Sequence, residues 1–393
     1  MNLTITPGKL QGTLRAIPSK SQAHRLLICS AFADGETVLL CPETNQDIQA
    51  TAECLNALGA RICRTSSGYS VMPISRIPET ADLFCRESGS TLRFLLPIAG
   101  ALGVDTVFHL EGRLPQRPLS PLWEEMERMG CRLSRPSDNT VRCQGKLQPG
   151  EYRISGSVSS QFITGLLYAL SLLDGDSRIV ITGKTESLPY IRMTQLAMSV
   201  FGVATEDYAI AGKQTFHSPG SLEVEGDWSN GAFFLAANAL GNRIDIENLN
   251  SDSPQGDRAT AAILSNMDHF ATIDAADIPD LVPILAVVAC AKEGAEFSNI
   301  ARLRLKESDR VASVISMLEN LGGQAEAAEN TLIVYPGNLT GGTVDSRNDH
   351  RIAMSAAIAA TVCSRPVTIL GTECVGKSYP NFWEEYRRLG GIV

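Results

Sequence analysis

Lys20, Ser21 and Arg25 stand close together in the segment SKSQAHR. An ammonium, a hydroxyl and a guanidinium in that order can hold a phosphate or a carboxylate. Ser21 and Arg25 have the i, i+4 spacing that shares one face of a helix. Ser159, Ser160 and Gln161, in SSQF, form a compact donor set suited to a phosphoryl group at a helix start. Further on come Asp280 in IPD, His350 and Arg351 in NDHRIAM, and Lys377 in GKSYPNF. Lys306, Glu307 and Arg310 lie in KESDR, which by its charges alone reads as an exposed, salt-bridged helix face.

These clusters share a setting. Six polar openings, at Ser19, Glu87, Ser159, Asp227, Ile278 and Asn348, each precede a run of small and apolar residues. Helix N-termini carry unpaired N–H groups and partial positive charge, so they suit anions. Capping explains the Ser and Asp residues. It does not explain Lys20, Arg25, Arg93 and Arg351, because the helix dipole disfavours cations there. Cations at positive helix ends point to a ligand with several negative charges.

The openings recur about every 70 residues, with one interval nearer 50 after Asp227. Each apolar run leads through a polar break to a strand of period two, then to an amphipathic helix with a Gly stop, as in RVASVISMLENLG. A strand pair follows in most copies. The unit is βαβαββ, written six times with one trimmed copy. The first helix of each unit is expected to be buried and the second to lie outside. Two bundles of three helices are the simplest packing, so two domains are expected, residues 14–224 and residues 1–13 with 225–393. The crossing falls in SLEVEGDWSNG.

Composition fits a globular chain of 393 residues, 44% hydrophobic and 20% charged. A net charge of −9 gives no general attraction to nucleic acid or acidic membranes. The start, MNLTITPGKL, lacks a signal-peptide pattern, and the longest apolar stretch, LVPILAVVACA, is too short to span a bilayer. Ten cysteines are scattered without a CxxC pair. Cys29, Cys54, Cys290 and Cys363 are expected to pack as small apolar residues, which favours a reducing cytoplasm. No cluster has metal-ligand spacing.

IPSKSQAHR, ESGSTLR, QRPL, SSQF, LPYI, IPD, KESDR, NDHRIAM and GKSYPNF occur in the order found in EPSP synthases. Through them nearly the whole chain resembles that enolpyruvyl transferase family. The resemblance implies an inverse α/β barrel architecture of two similar domains. It implies transfer of the enolpyruvyl group of phosphoenolpyruvate to the 5-hydroxyl of shikimate 3-phosphate, by addition and then elimination of phosphate, in chorismate and aromatic amino acid biosynthesis. Lys20, Ser21, Arg25, Ser159, Ser160, Gln161, Ser187, Tyr190, Asp280 and Lys306 would hold shikimate 3-phosphate. Lys20, Gly89, Arg117, Gln161, Arg310, His350, Arg351 and Lys377 would hold phosphoenolpyruvate. Asp280 would act as base and Glu307 as acid, with Lys306 and Lys20 also at the chemistry. No cofactor is required. A cytoplasmic monomer whose halves close on the substrates is expected.

Three positions depart from the family's familiar pattern. Glu87 and Ser88 precede Gly89 where an Asn–Ala pair is usual, and Arg302 stands where some relatives carry an Asn that contacts shikimate. One rival is the sister transferase acting on UDP-N-acetylglucosamine. That family shows a KN pair near the N-terminus and a reactive Cys in a Gly-rich loop. Here SKS replaces KN, and GRLPQRPL has no Cys. The other rival is a non-catalytic repeat scaffold, which retention of Lys20, Asp280, Glu307 and Lys377 disfavours.

Overall fold

The six apolar runs fold as helices in a computed structural model of the chain, which describes residues 1–393. Twelve α-helices alternate between a buried and an outer kind. The buried set is α1 (Lys20–Ala31), α3 (Gly89–Leu102), α5 (Ser160–Ser171), α7 (Trp228–Ala239), α9 (Val282–Ala291) and α11 (His350–Ala359). The outer set is α2 (Gln46–Ala57), α4 (Leu122–Arg128), α6 (Leu188–Val200), α8 (Thr260–Ser265), α10 (Arg310–Asn320) and α12 (Phe382–Arg388). In α9 every side chain from Val282 to Cys290 is buried, as an all-apolar helix requires. In α2, Ile48, Cys54 and Leu55 face inward while Glu53 and Asn56 remain exposed.

The chain divides into two compact units. A continuous unit runs from Lys20 to Val224, and a composite unit joins Met1–Ser19 to Glu225–Val393. The sequence reading put the first boundary at residue 14. Residues 14–19 belong instead to the composite unit, because strand Gln11–Arg15 pairs in parallel with Arg243–Glu247. The reciprocal exchange occurs in the continuous unit, where Ser221–Glu223 pairs in parallel with Thr37–Leu40. The strand before α1 thus serves the fourth repeat, and the strand before α7 serves the first.

Each repeat builds one small sheet around a parallel pair. The second repeat is complete: Thr80–Arg86 pairs in parallel with Asp105–Leu110, and a hairpin of Cys131–Ser134 and Thr140–Gly145 extends it. The fifth repeat has the same order. The strand pair is less general than the sequence suggests. In the third repeat it shrinks to Ala209–Ile210, after two left-handed residues, Asp207 and Tyr208. In the sixth, Asn2–Ile5 supplies the antiparallel strand to Val367–Leu370.

Each unit has its own hydrophobic core. In the continuous unit α1, α3 and α5 meet around Phe94, which lies edge-on to His24 and Tyr168 and under the Arg25 guanidinium. Gly165 lets α3 and α5 approach closely, since a Cβ there would stand 2.3 Å from the Arg93 carbonyl oxygen. In the composite unit α7, α9 and α11 pack on one another. All ten thiols are free, and all but Cys63 are buried, Cys29, Cys54, Cys290 and Cys363 among them. No helix is long and apolar enough to cross a membrane.

Candidate active site

The composite unit gathers its polar openings around one guanidinium. Arg310 is 1% exposed, at the start of α10. A buried cation needs charged partners, and three carboxylates provide them. Arg310 Nε donates to Asp349 Oδ2 at 2.9 Å, Nη2 donates to Glu307 Oε2 at 2.6 Å, and Nη1 donates to Asp280 Oδ1. Asp349 also caps α11, accepting from the Arg351 N–H at 3.0 Å through its other oxygen, and Ser308 Oγ donates to Oδ2 at 2.9 Å.

KESDR is therefore not one exposed helix. Lys306 is extended after a 3-10 turn at Ala301–Leu305, Asp309 caps α10 through the Ala312 N–H, and only Arg310 is helical. Three carboxylates on the buried Arg310 guanidinium outweigh the helical spacing of the charges. IPD likewise leaves helix capping aside. Leu281 is the N-cap of α9, and the Asp280 side chain turns to cations instead.

Lys306 Nζ lies 3.4 Å from Asp280 Oδ1, and Arg351 Nη2 lies 3.5 Å from Oδ2. Burial pushes the Asp280 carboxyl up, but Arg351, Lys306 and Arg310 together hold it well below the usual carboxylate range. Lys306 moves the other way. Burial lowers its ammonium to about 8, with Arg310 and Arg302 adding to the effect and Asp280 and Glu307 opposing it. Arg302 thus acts on the site at least through its charge. Lys377 ends a 3-10 turn and donates to the Asn348 carbonyl at 3.0 Å, beside the α11 opening. His350 is buried at the first position of that helix.

The continuous unit gathers the other predicted residues. Lys20 Nζ pairs with Asp47 Oδ2 at 2.9 Å, across from α1 to the first turn of α2. Arg25 is buried, donating to the carbonyls of Ser21 at 2.6 Å and Tyr190 at 2.9 Å and to Thr194 Oγ1 at 2.9 Å. Ser187, left-handed at the N-cap of α6, leads into the turn that presents Tyr190. Ser159 caps α5 and Ser160 follows it, buried. Gln161 bridges to α3, accepting from Arg93 Nη1 at 2.9 Å and donating to Ser90 Oγ at 3.0 Å.

Gly89 opens α3 beneath two guanidiniums. A Cβ there would stand 2.7 Å from Nη1 of both Arg93 and Arg117. The Glu87 carboxylate lies against Gly112, in the turn after strand Asp105–Leu110. Behind the openings, His24, Thr51, Thr91 and Ser88 form a buried chain of hydrogen bonds, each 2.7 Å, that ties α1, α2 and α3 together. Burial, with Lys20 and Arg25 nearby, holds the His24 imidazole neutral.

Sequence reasoning missed three acids. Asp47 and Asp349 pair with the predicted cations Lys20 and Arg310. Asp257, in SPQGDRA, is 1% exposed and accepts from the Ser229 hydroxyl. The capping position of Asp349 was a signal, as was the first-turn acid Asp47. Nothing in the loop around Asp257 marked it.

Fold and site together define an α/β repeat protein whose Asp280 carboxylate is set among the cations Lys306, Arg310 and Arg351. The family model for EPSP synthase (3-phosphoshikimate 1-carboxyvinyltransferase) matches residues 5–277 and 268–386. The chain belongs to that family. A 3-phosphoshikimate 1-carboxyvinyltransferase of Clostridium kluyveri is 40% identical, over 100% of this chain and 98% of its own. One of Clostridium beijerinckii is 39% identical with the same coverage. Two solved EPSP synthase structures from Acinetobacter baumannii share the fold, with TM-scores of 0.79 and 0.80. They are 24% and 22% identical and cover 99% and 100% of this chain and 98% and 100% of their own. The activity these names carry is the 3-phosphoshikimate one of the shikimate pathway, so the UDP-N-acetylglucosamine and scaffold readings fall away.

Proposed function

We propose that the chain joins the enolpyruvyl group of phosphoenolpyruvate to the 5-hydroxyl of shikimate 3-phosphate, with Asp280 as base. The observation that carries the residue assignment is the Asp280 carboxylate held among Lys306, Arg310 and Arg351. In the continuous unit we assign shikimate 3-phosphate to Lys20, Ser21, Arg25, Ser159, Ser160, Gln161, Ser187 and Tyr190. Gly89, Arg117, Gln161 and Lys20 are assigned to the anionic groups of phosphoenolpyruvate. In the composite unit Asp280 and Lys306 are assigned to the reacting hydroxyl, and Arg310, His350, Arg351 and Lys377 to phosphoenolpyruvate.

The proposed chemistry follows from these charges. Asp280 takes the proton of the 5-hydroxyl as its oxygen attacks C2 of phosphoenolpyruvate, while C3 gains a proton. Loss of phosphate and of a C3 proton then leaves the enol ether. Without substrate, three cations keep Asp280 a weak base. An anionic substrate on Arg351 and Arg310 draws their charge away and raises its basicity. Of the two expected proton donors, Lys306 is favoured, because an ammonium lowered to about 8 gives up a proton readily near neutral pH. Glu307 accepts from Arg310 Nη2 at 2.6 Å. The buried thiols suit a cytoplasmic setting.

The test is phosphate release from phosphoenolpyruvate. Release that requires shikimate 3-phosphate supports the reading. Release that requires UDP-N-acetylglucosamine, or none at all, overturns it.

A further inference from the structure

We propose that Thr51 is a positioning residue for the phosphoenolpyruvate site of the continuous unit: its hydroxyl, set between His24 of α1 and Thr91 of α3, fixes the α3 opening that presents Gly89. The proposal rests on the assignment of Gly89 to phosphoenolpyruvate.

Thr51 lies midway along α2 and is fully buried, as are Thr91 and Ser88. A threonine inside a helix ordinarily turns its hydroxyl back to a carbonyl of its own helix. Thr51 instead bonds two other helices, meeting His24 Nδ1 at 2.7 Å and Thr91 Oγ1 at 2.7 Å. Thr91 donates its hydroxyl proton to Ser88 Oγ at 2.7 Å, so it accepts from Thr51, and Thr51 accepts from the His24 N–H. Nε2 of His24 is buried without a hydrogen-bond partner, so the ring stays neutral with its proton on Nδ1. Ser88 Oγ also accepts the Thr91 N–H at 3.2 Å and so caps α3. The chain therefore ends on the cap that sets the first turn, and Gly89 is the first residue of that turn.

Packing alone does not call for these groups. Buried hydroxyls gain little over apolar side chains of the same shape, but linked hydrogen bonds fix direction and register as apolar contact does not. The same device recurs at an opening of the composite unit that is also assigned to phosphoenolpyruvate. There α10 supplies Arg310 to Asp349, the N-cap of α11, at 2.9 Å, and His350 and Arg351 follow that cap. α2 precedes α3 in the chain as α10 precedes α11. In each case the outer helix holds the cap of the next buried helix, directly through Arg310 and by way of Thr91 from Thr51. α1 has further anchors beside its own assigned residues. Arg25 donates to Thr194 Oγ1 and to the Tyr190 carbonyl, each at 2.9 Å, and Lys20 pairs with Asp47. Loss of the Thr51 hydroxyl therefore falls on the Gly89 side.

The experiment measures the KM of each substrate for the full-length wild type, T51V and T51S. Valine keeps the shape and removes the hydroxyl, while serine keeps the hydroxyl. We expect T51V to raise KM for phosphoenolpyruvate about tenfold, with KM for shikimate 3-phosphate within about twofold of wild type. T51S should stay within about threefold of wild type on both. An unchanged KM for phosphoenolpyruvate in T51V overturns the proposal. So does an equal rise in both KM values, which is general loosening, and so does a T51S no better than T51V. Should T51V fail to fold, S88A breaks the same chain at its other end and should show the same selective rise. An unchanged KM for phosphoenolpyruvate in S88A would then overturn the proposal. A wild type without turnover that depends on shikimate 3-phosphate would instead sink the functional reading, and an unaltered KM in Gly89→Ala would sink the assignment of Gly89.

Discussion

Arg310 and Asp349 hold the composite unit's site together: Arg310 Nε donates to one oxygen of Asp349 at 2.9 Å while the other oxygen caps α11. Both side chains are buried, and Arg310 also bonds Asp280 and Glu307. Removing the cation leaves three carboxylates around an apolar gap. Arg310→Met should lower unfolding free energy by about 3–5 kcal/mol in urea titration, as removal of one partner from a buried pair does. Arg310→Lys should recover little of it, because a single ammonium cannot reproduce the three-way fork. A loss under about 1 kcal/mol for the methionine variant would remove Arg310 as the organiser.

The same cluster sets a pH signature in stability. The folded-state carboxyl of Asp280 is depressed, so its contribution is present above the unfolded value near 4 and is lost as pH falls below it. Asp257 has the opposite sign. With a folded value of about 6 against about 4 unfolded, it binds its proton more tightly when folded. Its contribution to stability is full below pH 4 and declines as pH rises to 6. At about 1.4 kcal/mol per pH unit the decline amounts to about 2–3 kcal/mol. D257N should therefore gain on the wild type by roughly that amount between pH 4 and pH 7 in denaturant unfolding. A constant difference across the window contradicts the buried titration.

Lys306 sets a limb in the rate profile. Its ammonium, lowered to about 8 chiefly by burial, must be protonated to donate. Turnover should fall as pH rises through about 8. Lys306→Arg should abolish that limb and cut kcat by two orders of magnitude or more, since a guanidinium stays protonated. A variant with near-wild-type kcat would hand proton delivery to Glu307.

Gly89→Ala tests the continuous unit. The added methyl meets Nη1 of both Arg93 and Arg117 at 2.7 Å, and those are the far ends of flexible side chains. Folding should be little affected, with stability within about 1 kcal/mol. The displaced guanidiniums should raise KM for phosphoenolpyruvate about tenfold, a loss near 1.4 kcal/mol of binding. An unchanged KM would remove Gly89 and Arg117 from that assignment.

Much of this was legible in the chain. Runs such as LVPILAVVACA and stops such as LENLG mark buried and outer helices by periodicity and end chemistry, which act within a few residues. Strand exchange between the first and fourth repeats was not legible. Gln11–Arg15 and Arg243–Glu247 are far apart in sequence, and either partner satisfies the same alternating pattern. KESDR misled because Lys306 and Arg310 have helical spacing, and nothing local reveals that Arg310 is buried on Asp349. Asp257 was invisible for a related reason. Its carboxylate is bonded by Ser229, 28 residues earlier at the start of α7.

The central claim is that Asp280, set among Lys306, Arg310 and Arg351, removes the proton of the attacking hydroxyl. Its most direct test is the single-turnover rate of Asp280→Asn with phosphoenolpyruvate and shikimate 3-phosphate. The asparagine keeps the size of the side chain and removes its basicity. The account predicts a rate at least two orders of magnitude below wild type, with both substrates still bound within a few-fold of wild-type affinity. A rate within about tenfold of wild type would contradict it.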